Sequence, residues 1–322
     1  MRQTKCSLKL YSNFLIANHN RYSGVELSKV VEDISHDTVS RWLYQSGFNA
    51  GGLWQQVKAS IDREAGYLVC DDTLLDKRYS RCNELAKKQY SGNEHGLVNG
   101  ITLVNLLWTN EEQMIPVDYR IYQKEHDHKT KNDLFQEMIK KAKLRGFSPR
   151  YILMDAWYCG IDNLKSIRSQ GWKFICNFKS NRTVSRDRIQ MAISDLNLTD
   201  RQVSKVWLKA FGHVLVCKVV AQNGDITYLA TNDLSLTDYD DFVAHFKYRW
   251  HIEEFHRAIK QTTGIEQCYS IKAQSQKTHI FASFVAFIKL ELRKIKEHIT
   301  WYEQKASITR TSIMDYLNYS NA

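Results

Sequence analysis

Three acidic side chains, Asp71, Asp155 and Glu253, are the residues of this chain best placed to do chemistry. The densest stretch is Arg249-Trp-His-Ile-Glu253-Glu-Phe-His256-Arg-Ala-Ile-Lys260. Read as a helix, it puts Arg249, Glu253, His256 and Lys260 on one face at steps of four, three and four residues. Ile252, Phe255 and Ile259 fall on another face, which packs. An acid with a cation one turn before it and a second cation two turns after suits a residue that grips a metal ion beside a phosphate chain. The plain alternative is an amphipathic surface helix with an i,i+4 ion pair, which is common.

Two upstream aspartates shift that balance. Tyr67-Leu-Val-Cys-Asp71-Asp72-Thr73 and Tyr151-Ile-Leu-Met-Asp155 are short apolar runs that end in acids. They read as buried strands whose C-terminal ends present carboxylates. Two strand-end aspartates and a helix-borne glutamate would hold two divalent cations, one at the attacking oxygen and one at the leaving oxygen of an in-line phosphoryl displacement. Hard oxygen ligands favour Mg²⁺ or Mn²⁺ over zinc. Asp71 or Asp72 can fill the first position, because a slip of one residue turns the side chain to the opposite face of the strand.

The surrounding pattern must position these acids. After a Lys/Arg/Tyr-rich connection over residues 77–90, residues 97–108 and 114–122 read as strands joined by Thr109-Asn110-Glu111-Glu112, completing an antiparallel meander with the first strand. A helix over 129–145 closed by Gly146, the strand before Asp155, a helix over 161–170 ended by Gly171, and a fifth strand over 172–178 follow. That order is an α/β fold: a mixed five-stranded sheet with helices on its faces. Residues 206–211, 214–221 and 226–230, with a hairpin turn at Asn223-Gly224-Asp225, read as a β-rich insertion. Helical periodicity resumes at Thr237 and returns over 277–296.

Near the N-terminus, residues 25–31 and 35–44 read as two short helices, the second capped by Ser35 or Asp37, with Val39, Trp42 and Leu43 inward. His36, Ser40, Arg41 and Tyr44 face out, as on the recognition helix of a helix-turn-helix. A small helical hairpin that merely packs gives the same pattern. The expected domains are therefore 1–62 (helical), 63–178 with 234–322 (catalytic) and 179–233 (insertion).

The net charge of +10 and pI of about 9.1 make nucleic acid the first partner to expect, and 43% hydrophobic residues exclude a disordered chain. Seven cysteines without a C-x-x-C pair read as reduced thiols, with no zinc site. His126-Asp-His128 lacks a third partner and reads as a solvated turn. Trp157, Trp172, Trp207 and Trp250 are expected in the core, Trp207 being the one best placed to stack on an unpaired base. The polar start and an apolar run of only residues 280–288 lead to the expectation of a soluble intracellular protein with no membrane partner.

These residues resemble the bacterial insertion-sequence transposases with an Asp-Asp-Glu site, in the group marked by Tyr, two residues, Arg, three residues, Glu, six residues, Lys. Arg249, Glu253 and Lys260 fit that spacing; Phe246 stands at the tyrosine position, with Tyr248 nearest, so no hydroxyl is carried over. Asp71-Asp72-Thr73 is similar to the family's first motif, and Met154-Asp155-Ala-Trp-Tyr158 to its second. The resemblance covers roughly residues 67–296. It implies an RNase H-like catalytic domain, hydrolysis at element ends to free a 3′-hydroxyl, attack by that hydroxyl on target DNA, and a homodimer that synapses two ends. It also implies that Arg249 and Lys260, with His256 on the same face, hold the DNA backbone, and that the protein works at the nucleoid in a prokaryotic cytoplasm. A metal-dependent nuclease or resolvase on the same fold, and a transposase-derived DNA binder that no longer cuts, are the alternatives.

Overall fold

The computed structural model describes residues 6–92 and 95–320. The first five residues of the expected helical unit, part of the polar start, lie outside them. Four helices come first: α1 (Leu8–Ala17), α2 (Gly24–Val30), α3 (His36–Gln45) and α4 (Ala50–Val57). Each starts where a short polar side chain takes up a free backbone N–H: Ser7, Ser23, Ser35 and Asn49. Val39, Trp42 and Leu43 of α3 are buried, as their spacing requires.

Strands β1 (Tyr67–Asp76), β2 (Lys87–Ser91), β3 (Gly96–Thr109) and β4 (Met114–Ile121) follow. Then come α5 (Lys124–Asp127), α6 (Lys131–Leu144), β5 (Tyr151–Met154), α7 (Ile161–Ser169) and β6 (Phe174–Phe178). Thr130 and Asp133 form a capping box at the start of α6. His126 and Asp127 lie in the single exposed turn of α5.

Strands β1, β5 and β6 run parallel to one another, β3 is antiparallel to β1, and β4 is antiparallel to β3. Three features differ from the sequence reading. First, β2, expected as connection, pairs with the overhanging start of β3 from Lys87↔Gly100 to Ser91↔Gly96. Second, β1 does not stop at its acids but continues to Asp76, because β3 keeps pairing with it as far as Asp76↔Gly100.

Third, the β-rich region does not stand apart from the sheet. It holds β7 (Thr183–Arg186), β8 (Ile189–Ala192), β9 (Val203–Leu208), β10 (Gly212–Val220) and β11 (Ile226–Thr231). Strand β11 pairs antiparallel with β6, so hydrogen bonding runs on into one 11-stranded sheet.

Helices α8 (Tyr239–Phe246), α9 (Trp250–Thr263), α10 (Ala273–Glu297) and α11 (Trp301–Ser320) complete the chain. Helix α10 is buried almost continuously from Ile280 to Ile288 and faces both apolar clusters, one around the sheet and one among α1 to α3. Helix α4, expected with the N-terminal unit, instead buries Leu53 and Val57 in the sheet core. Phe48 stacks on Phe281 of α10 at 4.7 Å. Lys305 of α11 donates to the carbonyls of Asn18 and Thr262 at 2.7 and 2.8 Å, tying the N-terminal helices to the end of α9. Gly264 closes α9 at φ +61°, where a Cβ would meet the Tyr22 ring at 2.5 Å. Among the described residues, no helix is long and apolar enough to cross a membrane.

Candidate active site

The parallel ladder of β1 and β5 runs from Tyr67↔Tyr151 to Cys70↔Met154 and ends there. Asp71 and Asp155 are the next residues on those two neighbouring strands. In an antiparallel pair, opposed residues point to the same face. Asp71 is opposed by Asn105 of β3, whose amide meets His256 Nε2 of α9 at 2.9 Å, so Asp71 faces α9. Asp72 therefore turns to the other face, where Lys131 of α6 pairs with it at 2.7 Å. This alternation distinguishes the two acids that the sequence alone leaves open.

Burial, the carboxylate of Asp155 and then that of Asp72 push the Asp71 carboxyl up to about 8. The backbone N–H of Asp72, which donates to Asp71 Oδ1 at 2.8 Å, and the charge of Arg249 pull it the other way. Burial also raises Asp155, against the N–H groups of Trp157 and Tyr158 that donate to its Oδ1 at 2.9 and 3.3 Å. Arg249 lowers both aspartates, so its guanidinium acts on both at once.

Glu253 stands in the first turn of α9, and its Oε1 accepts from Arg249 Nη2 at 2.6 Å. Lys260, two turns on, donates to the carbonyl of Leu74 at 2.7 Å and pairs with Glu266 at 3.0 Å, pinning α9 against β1. A cleft of about 820 Å³ opens between them, lined by Asp71, Thr73, Arg78, Tyr90, Glu253 and Arg257 among others. The residues after Asp155, Ala156 and Trp157, line a second cleft of about 650 Å³ with Lys179, Arg182 and Lys209.

Asp71 thus feels the charges of Asp155 and Arg249, and Glu253 and Lys260 line the same cleft as Asp71. His256 is a correction to the outward face read from the sequence. It is buried against Asn105, and burial followed by Lys260 lowers it to about 3, so it stays neutral. Trp157 and Trp250 are corrections too: Trp157 is 59% exposed because the turn after β5 projects it into the second cleft, and Trp250 is exposed on the first turn of α9. Trp172 is buried as expected, and Trp207 is exposed on β9 beside Arg186, Arg188 and His213. Arg41 and Tyr44 are exposed on α3. The sequence reading missed Asn105, Lys131 and the hydroxyl of Tyr158; only long-range pairing brings Asn105 and Lys131 to the acids.

Among the described residues, no three His, Cys, Asp or Glu side chains converge into a preformed metal cluster. The donor chemistry nevertheless fits a hard divalent cation. The charge of Asp155 disfavours that of Asp71, and the charge of Asp72 that of Asp155, which a cation held by these acids would relieve.

No curated protein matches the sequence. Among solved structures, the chain is similar to the piggyBac transposase in a synaptic complex with hairpin DNA. The identity is 11% and the TM-score 0.51, over 95% of this chain and 71% of that one. The Drosophila P element transposase in a strand transfer complex aligns at 9% identity and TM-score 0.31, over 59% of this chain and 48% of that one. The first likeness is one of fold. In sequence, the profile of the family described as "Transposase DDE domain" matches residues 65–288, from just before β1 into α10, and by that match the chain belongs to the DDE-domain transposases.

Proposed function

We propose that the protein cuts the ends of a mobile DNA element and joins the freed 3′-hydroxyls to target DNA. The observation that carries this reading is the adjacency of Asp71 and Asp155 at the end of the β1–β5 ladder, with Glu253 of α9 lining the same cleft as Asp71. In this reading, β4-β3-β1-β5-β6 is an RNase H-like core within residues 63–178 and 234–322. Residues 179–233 are the insertion that extends its sheet, and residues 1–62 are a DNA-binding leader with a helix-turn-helix formed by α2 and α3.

Asp71, Asp155 and Glu253 are the residues that would hold Mg²⁺ or Mn²⁺, two ions per site, which when bound supply positive charge to the attacking and leaving oxygens of phosphoryl transfer. Arg249 orients Glu253 through its 2.6 Å contact and offsets the crowded acids. Its remaining N–H groups are suited to a backbone phosphate near the scissile bond. Lys260 fixes α9 to the strand that carries Asp71 and adds positive charge to the same cleft. His256 supports this arrangement from within, through Asn105, and has no place in the DNA contact. Arg41 and Tyr44 meet a duplex from α3, and Trp207 offers a face on which a base can stack.

A relative in fold acts in a synaptic complex, which favours a homodimer holding two ends. A protein with this activity on chromosomal DNA would work at the nucleoid, in the cytoplasm. The test is cleavage of supercoiled DNA carrying the element's ends, with Mg²⁺ or Mn²⁺ against EDTA, for wild type and Glu253→Ala. Metal-dependent nicking and joining that the variant lacks supports the reading. Equal activity in both proteins rules it out.

A further inference from the structure

Asp72 is the unexplained acid of the site. On the face of β1 away from α9, its Oδ2 pairs with Lys131 Nζ at 2.7 Å and its Oδ1 accepts the hydroxyl of Tyr158 at 2.9 Å. Lys131 opens α6, directly after the Thr130 capping box, and its ammonium lies 5.8 Å from the ring centres of both Tyr122 and Trp157. Tyr158 is fully buried, with its ring 5.5 Å from Phe135 of α6. Its carbonyl accepts from Asn163 Nδ2 at 3.0 Å.

Tyr158 also belongs to the turn that carries Asp155. Its backbone N–H and that of Trp157 both donate to Asp155 Oδ1, and the thiol of Cys159 donates to the Asp155 carbonyl at 2.9 Å. One carboxylate oxygen of Asp155 is thus held inside its own turn, and the direction of the other is set by how that turn sits on β1. The hydroxyl of Tyr158 is the side-chain bond that fastens this turn to β1, at the residue next to Asp71.

We propose that Lys131, Asp72 and Tyr158 form a strut that aims the carboxylate of Asp155 at Asp71, so that Asp72 and Tyr158 are positioning residues for the metal-binding pair and not ligands. This rests on the site read above. Lys131 holds Asp72 in place through their ion pair, and Asp72 in turn fixes the Tyr158 hydroxyl. The competing role is a brace that only holds α6 to the sheet, which would affect stability and leave metal affinity alone.

Mn²⁺ binding to the full chain without DNA, by calorimetric titration and by the rise in Tm on adding the ion, separates these roles. Tyr158→Phe keeps the ring and its packing, Asp72→Asn keeps an oxygen for the Tyr158 hydroxyl while losing the ion pair, and Asp71→Asn serves as reference. Outer partners of metal ligands typically control affinity by about 10- to 100-fold. Tyr158→Phe and Asp72→Asn are expected to weaken Mn²⁺ binding about tenfold, with a near-native melting curve in EDTA, while Asp71→Asn abolishes it. Wild-type affinity in both Tyr158→Phe and Asp72→Asn would overturn the strut. Loss of binding in Asp72→Asn as complete as in Asp71→Asn would overturn it as well, by making Asp72 a ligand. Undiminished binding in Asp71→Asn would remove the site reading itself, and the strut with it.

Discussion

Replacing Asp71 by Asn should stabilise the metal-free protein at pH 8 and flatten its stability across the range from about pH 4 to pH 8. Burial, Asp155 and Asp72 displace the Asp71 carboxyl from 3.8 to about 8 in the folded chain. The unfolded chain releases that proton near 3.8. Between these values the folded state binds more protons than the unfolded one, so stability falls as pH rises. The contribution is complete below 3.8 and is lost as pH passes about 8. At ~1.4 kcal/mol for each tenfold change in proton affinity, the displacement sets a ceiling of ~6 kcal/mol. Asp71 is only half-buried and water reaches the cleft, which screens the interaction and brings the expected loss to ~2 kcal/mol. Asp71→Asn removes the ionisation, so in EDTA at pH 8 it should melt a few degrees above wild type, and the gap should close toward pH 4. Unfolding followed by circular dichroism over that pH range measures it. Mn²⁺ at pH 8 should raise the Tm of wild type and leave the variant unmoved. Parallel pH curves for the two proteins, or a less stable variant at pH 8, would refute the argument that the acids are crowded.

Three further outcomes follow from where side chains sit. His256→Ala leaves Asn105 without its buried partner and opens a cavity, so it should cost ~2–4 kcal/mol in urea unfolding while the salt dependence of DNA binding is unchanged. Arg41→Ala should weaken duplex binding with a salt slope smaller by about 1, read by fluorescence anisotropy at several salt concentrations, with Tm unmoved. Trp207→Ala, at a ring 47% exposed, should cost ~1–3 kcal/mol in affinity for DNA with an unpaired base and little for a fully paired duplex.

Much of this was legible in the sequence where local pattern decides structure. The apolar runs before Asp71 and Asp155 are strands because both faces are covered, and Ser35 caps α3 because its hydroxyl reaches the N–H of Thr38 at 3.2 Å. What was hidden depends on partners distant in sequence. Lys-Lys-Gln-Tyr-Ser at 87–91 has no alternation, and only the overhang of β3 makes it a strand. Strand β1 outruns its acids for the same reason. The strands of the β-rich region could be found from their own residues, but that β11 would join β6 is a property of the sheet. His256 fell on the wrong side because the polar stripe of α9 is broad, and its edge meets β3 where Asn105 waits. Trp157 is apolar enough for a core, but the tight turn that follows Asp155 leaves it no inward direction.

The most direct test of the central claim is to load the protein with Fe²⁺ in place of Mg²⁺ and add ascorbate, so that radicals formed at the bound ion cut the backbone beside its ligands. Cuts are expected to cluster near Asp71, Asp155 and Glu253 together, to be suppressed by excess Mg²⁺ and to be absent in Asp71→Asn. Cuts confined to other segments, or an unchanged pattern in the variant, would contradict a shared site for the three acids.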